Sequence, residues 1–142
     1  AELPNIAGVK EASGSITQMM DVIASISRVK PDFSVLSGDD ALTLPLIAAG
    51  GDGVVSVVSN VAPEPIVRMV HAALGGDMEK ARNIHYRLLP FFKAAFIDGN
   101  PSSIKYAMKV KNMCSGALRL PLTEVTDSAK KIIENAIKEC NI

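Results

Sequence analysis

Lys10 ends the short apolar run Ile6-Ala-Gly-Val-Lys10, and the chain passes at once through Glu11-Ala-Ser-Gly14 into a helical pattern. A strand covered by helices on both faces reads as continuous apolar residues, and its carboxyl end is where such folds keep their chemistry. Side chains alternate along a strand, so Ile6, Gly8 and Lys10 share one face while Ala7 and Val9 point to the other. With only hydrogen at Gly8 there is space for the long lysine stem. An amine that loses hydration in a partly apolar pocket favours its neutral, nucleophilic form. The chemistry that residue offers is imine formation with a carbonyl substrate. A solvated lysine at a strand exit has the same local sequence, and position alone does not separate the two.

The other reactive residue types assemble no site. Cys114 and Cys140 stand far apart without metal-type spacing, and His71 and His85 are not an i, i+4 pair, so local signals build no metal centre. Both thiols are expected to be reduced and separate. Gly50-Gly-Asp-Gly53 resembles a phosphate loop in composition only. Phosphates bind where a strand hands over to a helix N-terminus, and this cluster joins a helix to a strand. Its expected role is to end one helix in a left-handed cap and begin the next strand. Formal net charge is zero, with no tryptophan and few other aromatics, so neither a basic footprint nor a stacking platform for nucleic acid is present. No apolar run approaches a bilayer's thickness, and Ala1-Glu-Leu-Pro4 has no signal-peptide character, which predicts a cytoplasmic chain.

The elements that must position Lys10 follow from periodicity. Ser15-Ile-Thr-Gln18 reads as a capping box, and Ile16, Met19, Met20, Ile23 and Ile26 recur at helical spacing. After the turn Arg28-Val-Lys-Pro31-Asp, Phe33-Ser-Val-Leu-Ser37 reads as a second strand and the run Leu42 to Ala49 as a second helix, with its N-cap at Asp40 or Thr43. Val54 to Val58 reads as a third strand, and a proline-marked helix runs from about Pro63 to Leu74. Beyond Gly75-Gly-Asp77 there is no strand pattern. Helices are expected around Met78 to Ile97, kinked at Pro90, from about Ser102 to Met113, and from Asp127 to about Cys140. His71 is expected to be solvated, His85 to flank a core stripe, Cys140 to be a buried small hydrophobe, and Lys105, Lys109 and Lys111 to form a solvated basic face. Three successive βα units imply parallel neighbours joined by right-handed crossovers, so Lys10, Gly38 and Ser56 to Asn60 should meet at one sheet edge. The class is α/β.

Gly8-Val-Lys10-Glu-Ala-Ser-Gly14, Leu36-Ser-Gly38-Asp-Asp40 and Gly50-Gly-Asp-Gly-Val-Val-Ser56, in this order and spacing, closely resemble the second half of the dihydrodipicolinate synthase family. The resemblance extends through Asn100-Pro101-Ser-Ser-Ile-Lys105 and Leu118-Arg-Leu-Pro-Leu-Thr123, and so covers essentially the whole chain. It implies a partial (β/α)8 TIM barrel, its last three βα units in residues 1–76, followed by a C-terminal helical region in residues 77–142. It also implies that Lys10 forms an imine with pyruvate, whose enamine attacks aspartate semialdehyde in lysine (diaminopimelate) biosynthesis, with no cofactor and no metal. Gly38 and Val55 match positions that line the substrate pocket through their backbone.

The family barrel has eight strands and about 250 residues, and this chain begins at what would be its sixth strand. The tyrosines and threonine that relay protons in the family, and the arginine at its pocket mouth, have no counterpart here. Tyr106 falls in a tail helix. The isolated chain is therefore expected to form the imine at most. It is also expected to self-associate through open sheet edges or to pair with a missing N-terminal half. Two other readings are another pyruvate-dependent aldolase of the superfamily, acting on N-acetylneuraminate or a keto-deoxy sugar acid, and an inactive half-barrel scaffold.

Overall fold

The computed structural model describes residues 3–142. Three βα units come first. β1 is Gly8–Glu11, α1 Ile16–Ser27, β2 Ser34–Ser37, α2 Thr43–Ala48, β3 Gly53–Val54 and α3 Pro63–Leu74. Three further helices follow: α4 Met78–Ala94, α5 Ser102–Val110 and α6 Asp127–Cys140. The sheet is parallel in the order β1-β2-β3, with Lys10 level with Leu36 and Ser37 level with Val54.

The strands sit later or end sooner than the apolar runs suggest. Ile6 N–H is turned back to the Leu3 carbonyl, and pairing begins only with Ser34 N–H donating to Ala7 O, so β1 starts at Gly8 and runs one residue past Lys10. Phe33 is left outside β2, because its amide closes a turn onto Lys30 O. The largest difference is at β3: instead of Val54 to Val58 the strand is Gly53–Val54, and Val58–Asn60 form a 3₁₀ turn. A run of valines is a strand only while partner strands accept its hydrogen bonds, and here the amides of Val57 and Val58 turn to the Asp40 carboxylate instead.

Neither residue expected to cap α2 does so. Asp39 accepts from the amides of Ala41 and Leu42, Thr43 Oγ1 donates to Asp39 O, and Leu42 occupies the N-cap without a side-chain bond. In α1 the Ser15 hydroxyl caps the Gln18 amide at 3.3 Å, but the Gln18 side chain donates to Glu11 Oε1 at 3.0 Å, so the expected reciprocal box is half formed. At the glycine cluster, Gly50 takes φ +102° and ends α2, and Asp52 accepts from Val35 N–H at 2.8 Å, which ties the loop to the sheet.

The helix ends at Leu74 and Cys140 fall where periodicity places them, whereas α4 stops at Ala94 and α5 at Val110. Pro90 lies within α4. The main apolar core joins the 3₁₀ turn, α3, α4, α5 and α6 around Val58, Met69, Leu88, Phe91 and Ile133. It therefore continues across residues 76 and 77. A smaller cluster of Met19, Val35 and Leu46 seats α1 and α2 on one face of the sheet. The opposite face is open: along β2, Val35 and Ser37 are buried while Ser34 and Leu36 are only half-buried. No helix among the described residues is long and apolar enough to cross a membrane.

Candidate functional site

Lys10 lies on the open face, and the residue beside its stem is Gly38. A Cβ built on Gly38 would stand 2.8 Å from Lys10 Cε and collide with the Ala12 Cβ, so glycine is what lets the lysine cross the end of β2. Gly8 has a different part from the one its position suggests. Its missing side chain admits the Ser34 carbonyl, which would lie 2.7 Å from a Cβ there, and so it draws β1 and β2 together rather than making room for the lysine. Gly38 N–H donates to Glu11 O at 2.6 Å, and Val55 N–H donates to Ser37 O at 2.8 Å. Lys10, Gly38 and Val55 thus belong to one continuous set of main-chain links at the carboxyl edge of the sheet.

The partly apolar enclosure expected around Lys10 is not closed. Lys10 is exposed, Val55 is 44% exposed and Leu36 is half-buried, because no strand among the described residues faces them. A cavity of about 400 Å³ between α5, the 116–125 segment and α6 includes none of the three.

Two acidic residues at this edge escaped the sequence reading as site components. The Glu11 carboxylate is buried under α1, where Oε1 accepts from Ser13 N–H and Gln18 Nε2, each at 3.0 Å, while Oε2 finds no partner among the described residues. Asp40 is 2% exposed and accepts from the Ser56 hydroxyl and from the Val57 and Val58 amides. Burial pushes its carboxyl above the ordinary range, and those three donors hold the rise in check. The sequence signal for Asp40 is the pair Asp39-Asp40 directly after Gly38, which capping alone does not use up.

The remaining candidates lie elsewhere. His71 is exposed on α3. His85 is buried with its ring edge-on to Tyr86 and Phe92. Cys140 is buried, Cys114 half-buried, and both are free. Among the described residues no group of three or more ligating side chains gathers to hold a metal ion. The basic face is formed by Lys109 and Lys111, which are exposed, whereas Lys105 is half-buried and donates to Ala117 O in the segment after α5, and the Lys109 stem runs beside Gly116. Tyr106 donates to Glu134 Oε1 at 2.6 Å, which pushes its phenol up to about 12 and ties it to α6. Tyr86 is 66% exposed on α4, so neither tyrosine stands at a strand end.

Comparison with known proteins places this geometry. The chain matches the model of the dihydrodipicolinate synthetase family over residues 1–140. It is 44% identical over 142 residues to the 4-hydroxy-tetrahydrodipicolinate synthase of Kosmotoga olearia, covering 100% of this chain and 48% of that protein. It is 47% identical over 141 residues to the enzyme of the same name from Methanocaldococcus jannaschii, covering 99% and 47%. The crystal structure of dihydrodipicolinate synthase from Thermotoga maritima superposes with a TM-score of 0.96 at 38% identity, over 99% of this chain and 48% of that one. The chain spans about half the length of these relatives, and its fold is the corresponding part of their TIM barrel, a partial (β/α)8 architecture. With the three motifs in order on three parallel βα units and the match running through the helical tail, the chain belongs to the dihydrodipicolinate synthetase family.

Proposed function

We propose that this chain carries the imine-forming portion of a 4-hydroxy-tetrahydrodipicolinate synthase site, with Lys10 as the nucleophile and the main chain at Gly38 and Val55 beside it. The observation that supports this is the Lys10 stem lying across Gly38 at the carboxyl edge of a parallel sheet, in a chain of this family. In the proposed reaction the Lys10 amine attacks the keto carbon of pyruvate and water leaves. Loss of a methyl proton from the imine gives an enamine, whose carbon bonds to the aldehyde carbon of aspartate semialdehyde. The amine of that substrate then replaces Lys10 at the former keto carbon, closing the ring and freeing the lysine. The covalent lysine serves where other enzymes use a cofactor.

Proton transfers by positioned groups contribute about 10²- to 10⁴-fold each, and this chain has no tyrosine at a strand end to supply them. The proposal therefore assigns imine formation to the chain alone and full turnover to its assembly with a segment that provides the relay. Copies of this chain, or the other half of the barrel, are the proposed partners, in a cytoplasmic setting.

Borohydride reduction with pyruvate, followed by mass spectrometry, tests the reading. The expected result is a reduced pyruvate adduct on Lys10 that Lys10→Ala abolishes. Labelling of a different lysine, or equal labelling of the alanine variant, would overturn it. Turnover by the isolated chain close to that of a full-length relative would overturn the division of labour.

A further inference from the structure

We propose that Asp40 is a positioning residue for this site: its carboxylate fixes the backbone of residues 55–58 and thereby holds the Val55 main chain against the Ser37–Gly38 edge. The proposal extends the imine reading above and rests on it for its functional consequence.

β3 ends at Val54 and Val55 N–H still reaches Ser37 O of β2, but the amides of Val57 and Val58 turn away from the sheet. Asp40 supplies their partner. Oδ2 accepts from Val57 N–H at 3.0 Å and from Val58 N–H at 3.2 Å, and Oδ1 accepts from Ser56 Oγ. Ser56 Oγ in turn accepts from Ser59 N–H at 2.8 Å. Asp40 makes no ion pair among the described residues, and the charged group beside it is the like-charged Asp39. A carboxylate buried without a cation is stabilised by its hydrogen bonds alone, and all three of these come from one loop.

Packing already holds the far end of that loop, because Val58 is fully buried in the main core. The near end is held less firmly. Val55 is exposed, Ser56 is half-buried and Val57 only flanks that core, so apart from bonds within the loop from Ser59 and Asn60, residues 55–57 are tied to the sheet edge by Asp40 and by the bond from Val55 N–H to Ser37 O. Ser37 in turn leads directly into Gly38, against which Lys10 lies. Loosening the loop leaves Lys10 in place and moves the main chain next to it, which separates a positioning role from a nucleophilic one.

The test compares Asp40→Ala, which removes both acceptor oxygens, with Asp40→Asn, which keeps an acceptor for the two amides, in the 142-residue chain. Amide hydrogen exchange at Val55, Val57 and Val58 is expected to accelerate by about 100-fold in the alanine variant and by less than about fivefold in the asparagine variant, with α4 and α6 unchanged. In borohydride trapping, the pyruvate concentration giving half-maximal labelling of Lys10 is expected to rise about tenfold for Asp40→Ala and less than about threefold for Asp40→Asn, with the maximal rate held within about threefold. Unchanged exchange at Val55 and Val57 in Asp40→Ala would overturn the clamp. Faster exchange with an unchanged pyruvate requirement would overturn its link to the site. Should Asp40→Ala fail to fold, Ser56→Ala removes one of the three donors, and intermediate shifts in both measurements are then expected; no shift in either overturns the proposal. Failure of the unsubstituted chain to label Lys10 would remove the imine reading and with it the positioning role, while exchange would still decide whether the clamp exists.

Discussion

At the residue scale, the lysine is only as useful as the atoms missing beside it. Gly38→Ala places a methyl group against the Ala12 Cβ and 2.8 Å from Lys10 Cε just beyond β1 and β2, so the Ala12 segment must shift and the lysine stem must swing aside. Overpacking of this kind costs about 1–3 kcal/mol. The variant is expected to lose that much stability in urea unfolding and to label with pyruvate at least about tenfold more slowly than the parent. An unchanged labelling rate would show that the lysine does not need the Gly38 gap. His85 makes a second residue-scale prediction. Burial holds its imidazole below the ordinary 6.5, so below that pH the unfolded chain binds more protons than the folded one. The contribution is intact above pH 6.5 and is lost as pH falls through the depressed folded value. Asp40 acts in the opposite sense: its raised carboxyl favours the fold below 3.8, and that gain disappears as pH rises through the raised value. His85→Phe should therefore flatten the decline in urea midpoint between pH 7.5 and pH 5.5, and an unaltered decline would assign it to other groups.

At the scale of elements, packing outweighs polar bridges. Phe91 is fully buried where α4 meets the rest of the main core, and Phe91→Ala is expected to cost about 3–5 kcal/mol, read from thermal or urea unfolding. Tyr106→Phe removes only the bond to Glu134 across α5 and α6, at a half-buried position, and is expected to cost no more than about 1 kcal/mol. A reversed order would mean that the α5–α6 bridge, rather than the apolar core, holds the tail. Helices were legible in the sequence because a 3.6-residue stripe is a local property, as the bounds of α3 and α6 show. β3 was not. Val54 to Val58 has every local preference of a strand, and only the presence of a buried carboxylate 14 or more residues earlier diverts it into a turn.

At the scale of the molecule, the sheet is unfinished. Among the described residues β1 and β3 each have one unpaired edge, and Ile6 and Val55 are exposed while Leu36 is only half-buried, which leaves apolar surface beside the sheet. Unpaired parallel edges recruit partners, and burial contributes about 25 cal/mol per Å² before the costs of association. The isolated chain is expected to sediment as a stable oligomer at micromolar concentration. Adding a chain that carries the other half of a relative's barrel should convert it into a one-to-one pair. A well-folded species that stays monomeric on concentration would show that the open face is stable by itself.

Sequence alone determined the order of the βα units, the helical tail, the place of the candidate lysine and the family, because each is written in local periodicity or in contiguous motifs. Tertiary structure decided the rest. Which glycine gives Lys10 room depends on the register that sets Lys10 level with Leu36, two residues before Gly38. Whether a valine run is strand or turn depends on where Asp40 is buried, and whether the lysine is enclosed depends on strands that must come from outside the three described here. Register, burial and closure are relations between segments distant in sequence, and no single stretch of chain specifies them.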